Sequence, residues 1–332
     1  MHNYTIPSKT FSYIDSLIEP YFIMSSDLFP GFSSQFITTS SYARIFVRVS
    51  ESRDKEPLLL VHGFPQTHIE FHKIIPYLLP HFTIVLLDLR GYGASSSVPH
   101  SSNGSGYTKR LMGQDCVSVM EQLGYDKFSI VGHDRGARVA YRLAFDTPER
   151  LNKVVVVDIV PTASMFRNFG NAKGALKGYH WLFLAQPEPF PERLIGSTEG
   201  GGRMFLEHTL ASWTATSSLH SFDSTAMQKY EEAYCNEEKI HTTCEDYRAG
   251  VFFDRVYDEE DLEKGRKITV PVLAVWGERG LFADAMEGKM EGPLEVWQKY
   301  CIDVKGKGLD CGHFIPEEGP EALASEILKF LP

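Results

Sequence analysis

The residue in this chain best suited to do chemistry is Asp134. It stands at the centre of Gly132-His-Asp-Arg-Gly136, directly after the apolar run Phe128-Ser-Ile-Val131. A buried strand entering a tight Gly-x-nucleophile-x-Gly bend and then a helix carries its nucleophile exposed at the tip of the turn, and serine is the usual occupant. A carboxylate there is different. Serine needs a base to activate it, whereas an ionised aspartate is already a nucleophile, and it suits displacement at saturated carbon better than ordinary acyl transfer.

Two further residues follow in an informative order. Asp158 closes the apolar stretch Val154–Val157, and His313 lies in Cys311-Gly-His-Phe-Ile-Pro316 near the C-terminus. Nucleophile, acid, histidine is the chain order of the α/β-hydrolase fold. In that arrangement His313 takes a proton from water, and Asp158 fixes its tautomer and stabilises the imidazolium. Each residue alone reads blandly, since an aspartate at a strand end is commonly a turn residue. Glu278, in Trp276-Gly-Glu-Arg279, is a rival for the acid because it follows a later strand.

The surroundings add to the pattern. His62-Gly-Phe-Pro65 follows a second apolar strand, and the backbone N–H groups of Phe64 and Arg135 could face a developing oxyanion. Arg135 and Arg138 lie on the first turn of the helix after Asp134. A helix N-terminus is already positive, so two cations there call for an anion, and guanidinium groups grip carboxylates. Asp134 meets part of that demand, and a substrate carboxylate would meet the rest.

These residues need a frame. Tyr42–Val49 alternates as a strand with one wet face. Leu58–Val61, Thr83–Asp88, Phe128–Val131, Val154–Val157 and Val270–Trp276 are short and apolar, with helical lengths such as Lys109–Leu123 and Ala137–Asp146 between them. Strands of this kind indicate a mostly parallel sheet with helices on both faces. From Pro161 to about Arg266 the strand rhythm stops, and an aromatic-rich helical sequence intervenes. The expected organisation is an extension over 1–26, a core over 27–160 and 267–332, and a helical cap over 161–266 above the strand C-termini. Met24 could serve as an alternative start. The segment Ser95–Gly106 reads as a mobile surface loop.

Composition bounds the rest. The 332 residues are 43% hydrophobic and 23% charged, a globular balance. The formal net charge of -10 argues against nucleic acid and repels anions at long range, so an anionic substrate needs local cations. No apolar run reaches membrane-spanning length. The N-terminus does not resemble a signal peptide. Five cysteines without a Cys-x-x-Cys pair read as free thiols in a reducing compartment, hence a cytoplasmic protein. Cys235, His241 and Cys244 fit no common metal spacing.

Several motifs together resemble the fluoroacetate (haloacetate) dehalogenases. They are Gly132–Arg138, Val157-Asp-Ile-Val-Pro-Thr162, Tyr179-His-Trp181 with Phe183–Pro187, Cys244-Glu-Asp-Tyr-Arg-Ala-Gly250 and Gly312-His-Phe-Ile-Pro-Glu317. The resemblance runs from about Asp27 to the C-terminus. It implies Asp134 as nucleophile, Asp158 as acid and His313 as base, with Arg135 and Arg138 on the substrate carboxylate. It further implies His180, Trp181 and Tyr247 as donors around a leaving halide, and Trp213 as a pocket wall. It implies a small anionic halogenated acid as substrate, no cofactor and no metal, and it allows a homodimer. Departures from the family pattern are the N-terminal extension, a long Leu281–Gly292 segment, and Met165 and Phe166 at positions open to other aromatics. Two alternatives stand beside this reading. An epoxide hydrolase would share the Asp nucleophile and use Tyr247 to protonate the opening ring. A non-catalytic binding protein would share only the scaffold.

Overall fold

A computed structural model describes residues 27–98, 102–196, 198–283 and 291–332. The N-terminal extension and the centre of Leu281–Gly292 lie outside the described residues. The framework is one eight-stranded sheet: β1 (Phe32–Thr38), β2 (Arg44–Ser50), β3 (Pro57–Val61), β4 (Thr83–Leu87), β5 (Phe128–His133), β6 (Leu151–Val157), β7 (Val272–Gly277) and β8 (Val304–Leu309). Its order is β1-β2-β4-β3-β5-β6-β7-β8. The β1/β2 and β2/β4 pairs are antiparallel, and all others are parallel.

The apolar runs form the centre for a simple reason. β4, β5 and β7 are buried at every position, so both faces must be covered. Helices supply the cover, among them α1 (Lys109–Gln122) and α2 (Arg135–Asp146). Thr108 starts α1 by accepting a hydrogen bond from the Leu111 N–H. The helix expected at Ala137–Asp146 is present and begins two residues earlier, at Arg135.

Two strands carry no such signal. β1 is exposed along most of its length, and its residues Phe-Ser-Ser-Gln-Phe-Ile-Thr do not alternate cleanly. β8, Val-Lys-Gly-Lys-Gly-Leu, is an edge strand whose lysines blunt its open side. Within Ser95–Gly106, residues 99–101 lie outside the described residues. Ser102–Tyr107 forms a 3-10 turn, and the Gly104 N–H donates to Glu245 Oε2 at 3.2 Å.

Between β6 and β7 run α3 (Thr162–Asn168), α4 (Ala172–Lys177), α5 (Tyr179–Leu184), α6 (Phe190–Gly196), α7 (Gly201–Trp213), α8 (Ser224–Tyr234), α9 (Glu237–Ala249) and α10 (Arg255–Glu263). A π turn, Gly250–Asp254, joins the last two. Asp223 and Asn236 cap α8 and α9 through backbone N–H groups of the first turn. No helix among the described residues is long and apolar enough to cross a membrane.

The sheet reverses its winding at β3, with β4 on one side and β5 on the other. A crevice opens at the carboxyl ends of strands at such a point. The close passage of α2 behind it depends on Gly136, where an added Cβ would fall 2.0 Å from the Val61 carbonyl oxygen. Gly136→Ala should therefore cost at least about 2 kcal/mol, read as a lower urea midpoint. An unchanged midpoint would show that β3 and α2 can separate freely.

Candidate active site

β5 delivers Asp134 and α2 leaves from it. The turn forces Asp134 to φ 41 and ψ -110, a conformation that a non-glycine residue adopts only when its surroundings impose it. Those surroundings are visible. The Asp134 N–H donates to Val157 O at 3.1 Å, and the Asp134 carbonyl accepts from the Arg138 N–H at 3.1 Å. The side chain is held as well, since the Phe64 N–H donates to Asp134 Oδ2 at 3.1 Å. The chain passes so close that a Cβ on Gly63 would lie 2.6 Å from the Asp134 Cβ.

Asp158 and His313 lie in contact. Asp158 ends β6 at φ 55, and its N–H donates to Val275 O at 2.7 Å. Asp158 Oδ1 accepts from the Gly277 N–H at 2.8 Å, and Oδ2 lies 2.5 Å from His313 Nδ1. His313 Nε2 is buried without a partner, the nitrogen a base would present to water. Glu278, the rival, lies instead against Gly308 on β8, where its Oε1 would be 2.3 Å from an added Cβ. The histidine's carboxylate partner is Asp158.

Burial opposes the charge on Asp134, yet His313, Arg135, Arg138 and His133 together hold its carboxyl below the usual range. It is therefore ionised at neutral pH, as a nucleophile requires. A second buried group lies behind it. His133 Nδ1 is 3.1 Å from Glu70 Oε2, and His133 Nε2 donates to the His313 carbonyl oxygen at 2.9 Å. Glu70 Oε2 also accepts from the Gly63 N–H at 3.3 Å. Burial lowers the His133 pKa, but Glu70 outweighs it and lifts the value to about 9. This pair ties the Phe64 loop, the elbow and the His313 loop together. Nothing in the sequence marks Glu70, which sits in the short 3-10 turn His68–Phe71.

A cavity of about 470 Å³ opens above the nucleophile. Asp134, Asp158, His313, Arg138, His180, Trp181 and Trp213 lie on its wall, and so do Met165 and Tyr179. Phe166 packs its ring 5.5 Å from that of Trp181. Tyr247 is not on that wall, but its ring packs against those of His180 and Trp181. Ring centroids are 5.7 Å apart for His180 and Tyr247 and 5.4 Å for Trp181 and Tyr247. The Trp213 ring centroid lies 4.4 Å from that of His180, tilted, and 5.3 Å from that of His313, edge-on. Burial drives the His180 pKa down to about 3, so the ring is neutral and offers one N–H.

The two arginines differ in their setting. Arg138 spends Nη1 on Val160 O (3.1 Å) and Thr162 Oγ1 (3.2 Å), and its Nε has no partner. Arg135 is not on the wall of this cavity. Its guanidinium lies 4.3 Å from the Tyr247 ring centroid and 5.0 Å from that of Trp181, and only Nη1 lacks a partner. Among the described residues no group of three or more His, Cys, Asp or Glu could hold a metal ion. The five cysteines are free thiols.

The Asp158–His313 contact makes a direct prediction. Asp158→Asn preserves the shape but favours the wrong imidazole tautomer, so turnover should fall by about 10⁴-fold. Steady-state rates of Asp158→Asn and Glu278→Gln separate the two acids. A larger loss in the Glu278 variant would contradict the geometry.

Comparison with known proteins agrees with this architecture. The alpha/beta hydrolase fold family matches residues 56–320. Fluoroacetate dehalogenase of Burkholderia sp is 35% identical over 82% of this chain and 86% of its own length. Soluble epoxide hydrolase of Corynebacterium sp. (strain C12) is 29% identical over 82% of this chain and 89% of its own. Among solved structures, ALR0039 of Nostoc sp PCC 7120 superposes with a TM-score of 0.83 at 43% identity, covering 90% of this chain and 98% of that one. With an elbow, acid and histidine in the order and places of that fold, the chain belongs to the alpha/beta hydrolase fold family, within which it resembles fluoroacetate dehalogenase.

Proposed function

We propose that the protein is a hydrolytic dehalogenase that converts small 2-halo acids such as haloacetates, fluoroacetate among them, to the 2-hydroxy acid and halide. The observation that carries this reading is an ionised Asp134 flanked by two buried arginines and faced by three hydrogen-bonding aromatic side chains. Residues 161–266 act as the cap that closes over the reacting centre.

The first step is displacement. Asp134 attacks the α-carbon in line with the carbon–halogen bond, the bond electrons leave with halide, and an aspartyl ester forms. Arg135 and Arg138 hold the substrate carboxylate. His180, Trp181 and Tyr247 surround the departing halide and replace its hydration in a water-poor site. Neutrality of His180 suits this role, because a cation there would retain the product halide.

The second step is hydrolysis. His313 Nε2 takes a proton from water, and the resulting hydroxide attacks the carbonyl carbon of the Asp134 ester. The N–H groups of Phe64 and Arg135 receive the oxyanion, and Asp158 stabilises the imidazolium. Collapse expels the alkoxide, which takes the proton held by His313 and leaves as glycolate from a haloacetate, and Asp134 returns to its carboxylate with one proton lost to solvent. No residue in this scheme calls for a metal or organic cofactor.

Epoxide opening is the second reading, favoured by the tyrosines Tyr179 and Tyr247 near the nucleophile and by the Corynebacterium relative. The arginines decide the ranking, since a neutral epoxide needs no carboxylate grip. Halide release from fluoro-, chloro- and bromoacetate, against diol formation from an epoxide, separates the two, with Asp134→Asn as the inactive control. Diol formation without halide release would overturn the proposal. In a single turnover in oxygen-18 water the label should enter Asp134 and not the product. His180→Gln should cost about a hundredfold for fluoride and less for bromide, because fluoride depends most on donated hydrogen bonds. Equal losses for both halides would remove His180 from the halide site.

A further inference from the structure

Resting on the reading of Arg135 as an anion-binding group, we propose that Asp246 and Lys109 are its positioning residues: Asp246 locks the guanidinium in place, and Lys109 neutralises Asp246 so that the arginine's charge stays available to a carboxylate. The contacts are specific. Arg135 Nε donates to Asp246 Oδ2 at 2.9 Å, and Nη2 donates to Oδ1 at 2.8 Å and to the Asp246 carbonyl at 2.9 Å. Tyr92 Oη donates to Oδ2 at 2.7 Å, and Lys109 Nζ pairs with Oδ1. All four side chains are buried.

The lock has a geometric consequence. A bidentate fork fixes the plane of a guanidinium as well as its place. With Nε and Nη2 committed, Nη1 is left as the one nitrogen of Arg135 without a partner, beside the Trp181 and Tyr247 rings. Asp246 also adjoins Tyr247 on α9, so one helix turn sets both a halide donor and the arginine. That helix is fastened to the core: Thr242 Oγ1 donates to Gly91 O at 2.7 Å, beside the Tyr92 and Lys109 contacts.

The charge balance is the second consequence. A buried arginine paired with a buried aspartate is neutral overall, which would defeat an anion site. Lys109 changes the count, because two cations on one carboxylate leave one positive charge. Asp254 is the other acid near Lys109. Its Oδ1 accepts from the Lys109 backbone N–H at 2.9 Å and its Oδ2 forms a looser ion pair with Nζ at 3.8 Å, while burial raises its pKa towards the neutral form. An uncompensated Asp246 would cancel Arg135 and leave Arg138 to hold the anion alone.

Acetate, a carboxylate that cannot react, is the probe, and its dissociation constant is measured by calorimetry on the whole enzyme. Lys109→Met should weaken acetate binding about tenfold, the scale of one buried charge acting nearby. Adding Asp246→Asn to make K109M/D246N restores the charge balance, keeps the backbone carbonyl and one side-chain oxygen to hold the guanidinium, and should recover most of that affinity. A packing role cannot explain such a recovery, because the second change removes further contacts. Unchanged affinity in K109M, or no recovery in a double variant that melts like K109M, overturns the proposal. Should K109M fail to fold, the double variant answers alone: affinity near the parent's is expected, and a tenfold loss refutes the charge argument. Failure of the parent to bind acetate also refutes it. Acetate binding without halide release from any haloacetate would instead sink the dehalogenase reading and leave this one standing.

Discussion

The structure is organised around a single ion that burial disfavours. Asp134 is almost fully removed from solvent, and taking a carboxylate out of water costs several kcal/mol even after relaxation. Yet only its ionised form can attack carbon. The fold meets that conflict with charge and donors: the Phe64 N–H on one oxygen, and His313, Arg135, Arg138 and His133 close by. The strained backbone at Asp134 belongs to the same arrangement, because only the tight bend brings the carboxylate to the Phe64 N–H and the carboxyl ends of the strands together.

Rigidity around that ion comes from groups outside the reaction. Glu70 and His133 form a buried pair that also binds the Gly63 N–H and the His313 carbonyl. Three loops from distant parts of the chain are thereby held at fixed spacing. Most polar atoms of this network are paired, with Glu70 Oε1 the buried exception, and such networks favour one geometry. Asp246 serves α9 and Arg135 in a comparable way from the opposite side. The nucleophile is thus framed by two networks, one under the base and one under the guanidinium.

In the proposed reaction, selectivity rests on what faces Asp134 from the inserted helices. A neutral His180 with Trp181 and Tyr247 offers donors without fixed charge, whereas the core side offers cations. That polarity, positive beneath and donor-rich above, fits a molecule with a carboxylate at one end and a halogen at the other. An epoxide has neither feature, although the same nucleophile and base would open one.

Much of this was legible in the residues. Short apolar runs flanked by helical lengths determined a parallel sheet, since such strands must be covered on both faces. The Gly-x-Asp-x-Gly bend determined where the nucleophile sits, and the order Asp134, Asp158, His313 determined the triad pattern. The edge strands β1 and β8 were not legible, because half-solvated strands rich in Ser, Lys and Gly lack periodicity. Residue patterns by themselves left Asp158 and Glu278 open as the partner of His313, the resemblance favoured Asp158, and the geometry puts Asp158 there, because the ends of β6 and β7 lie side by side. Tertiary structure alone brought Glu70 to His133 across 63 residues and Asp246 to Arg135 across 111. Pairings of that kind leave no local trace, because a charged residue's partner is set by which loops the sheet gathers and not by its neighbours in the chain.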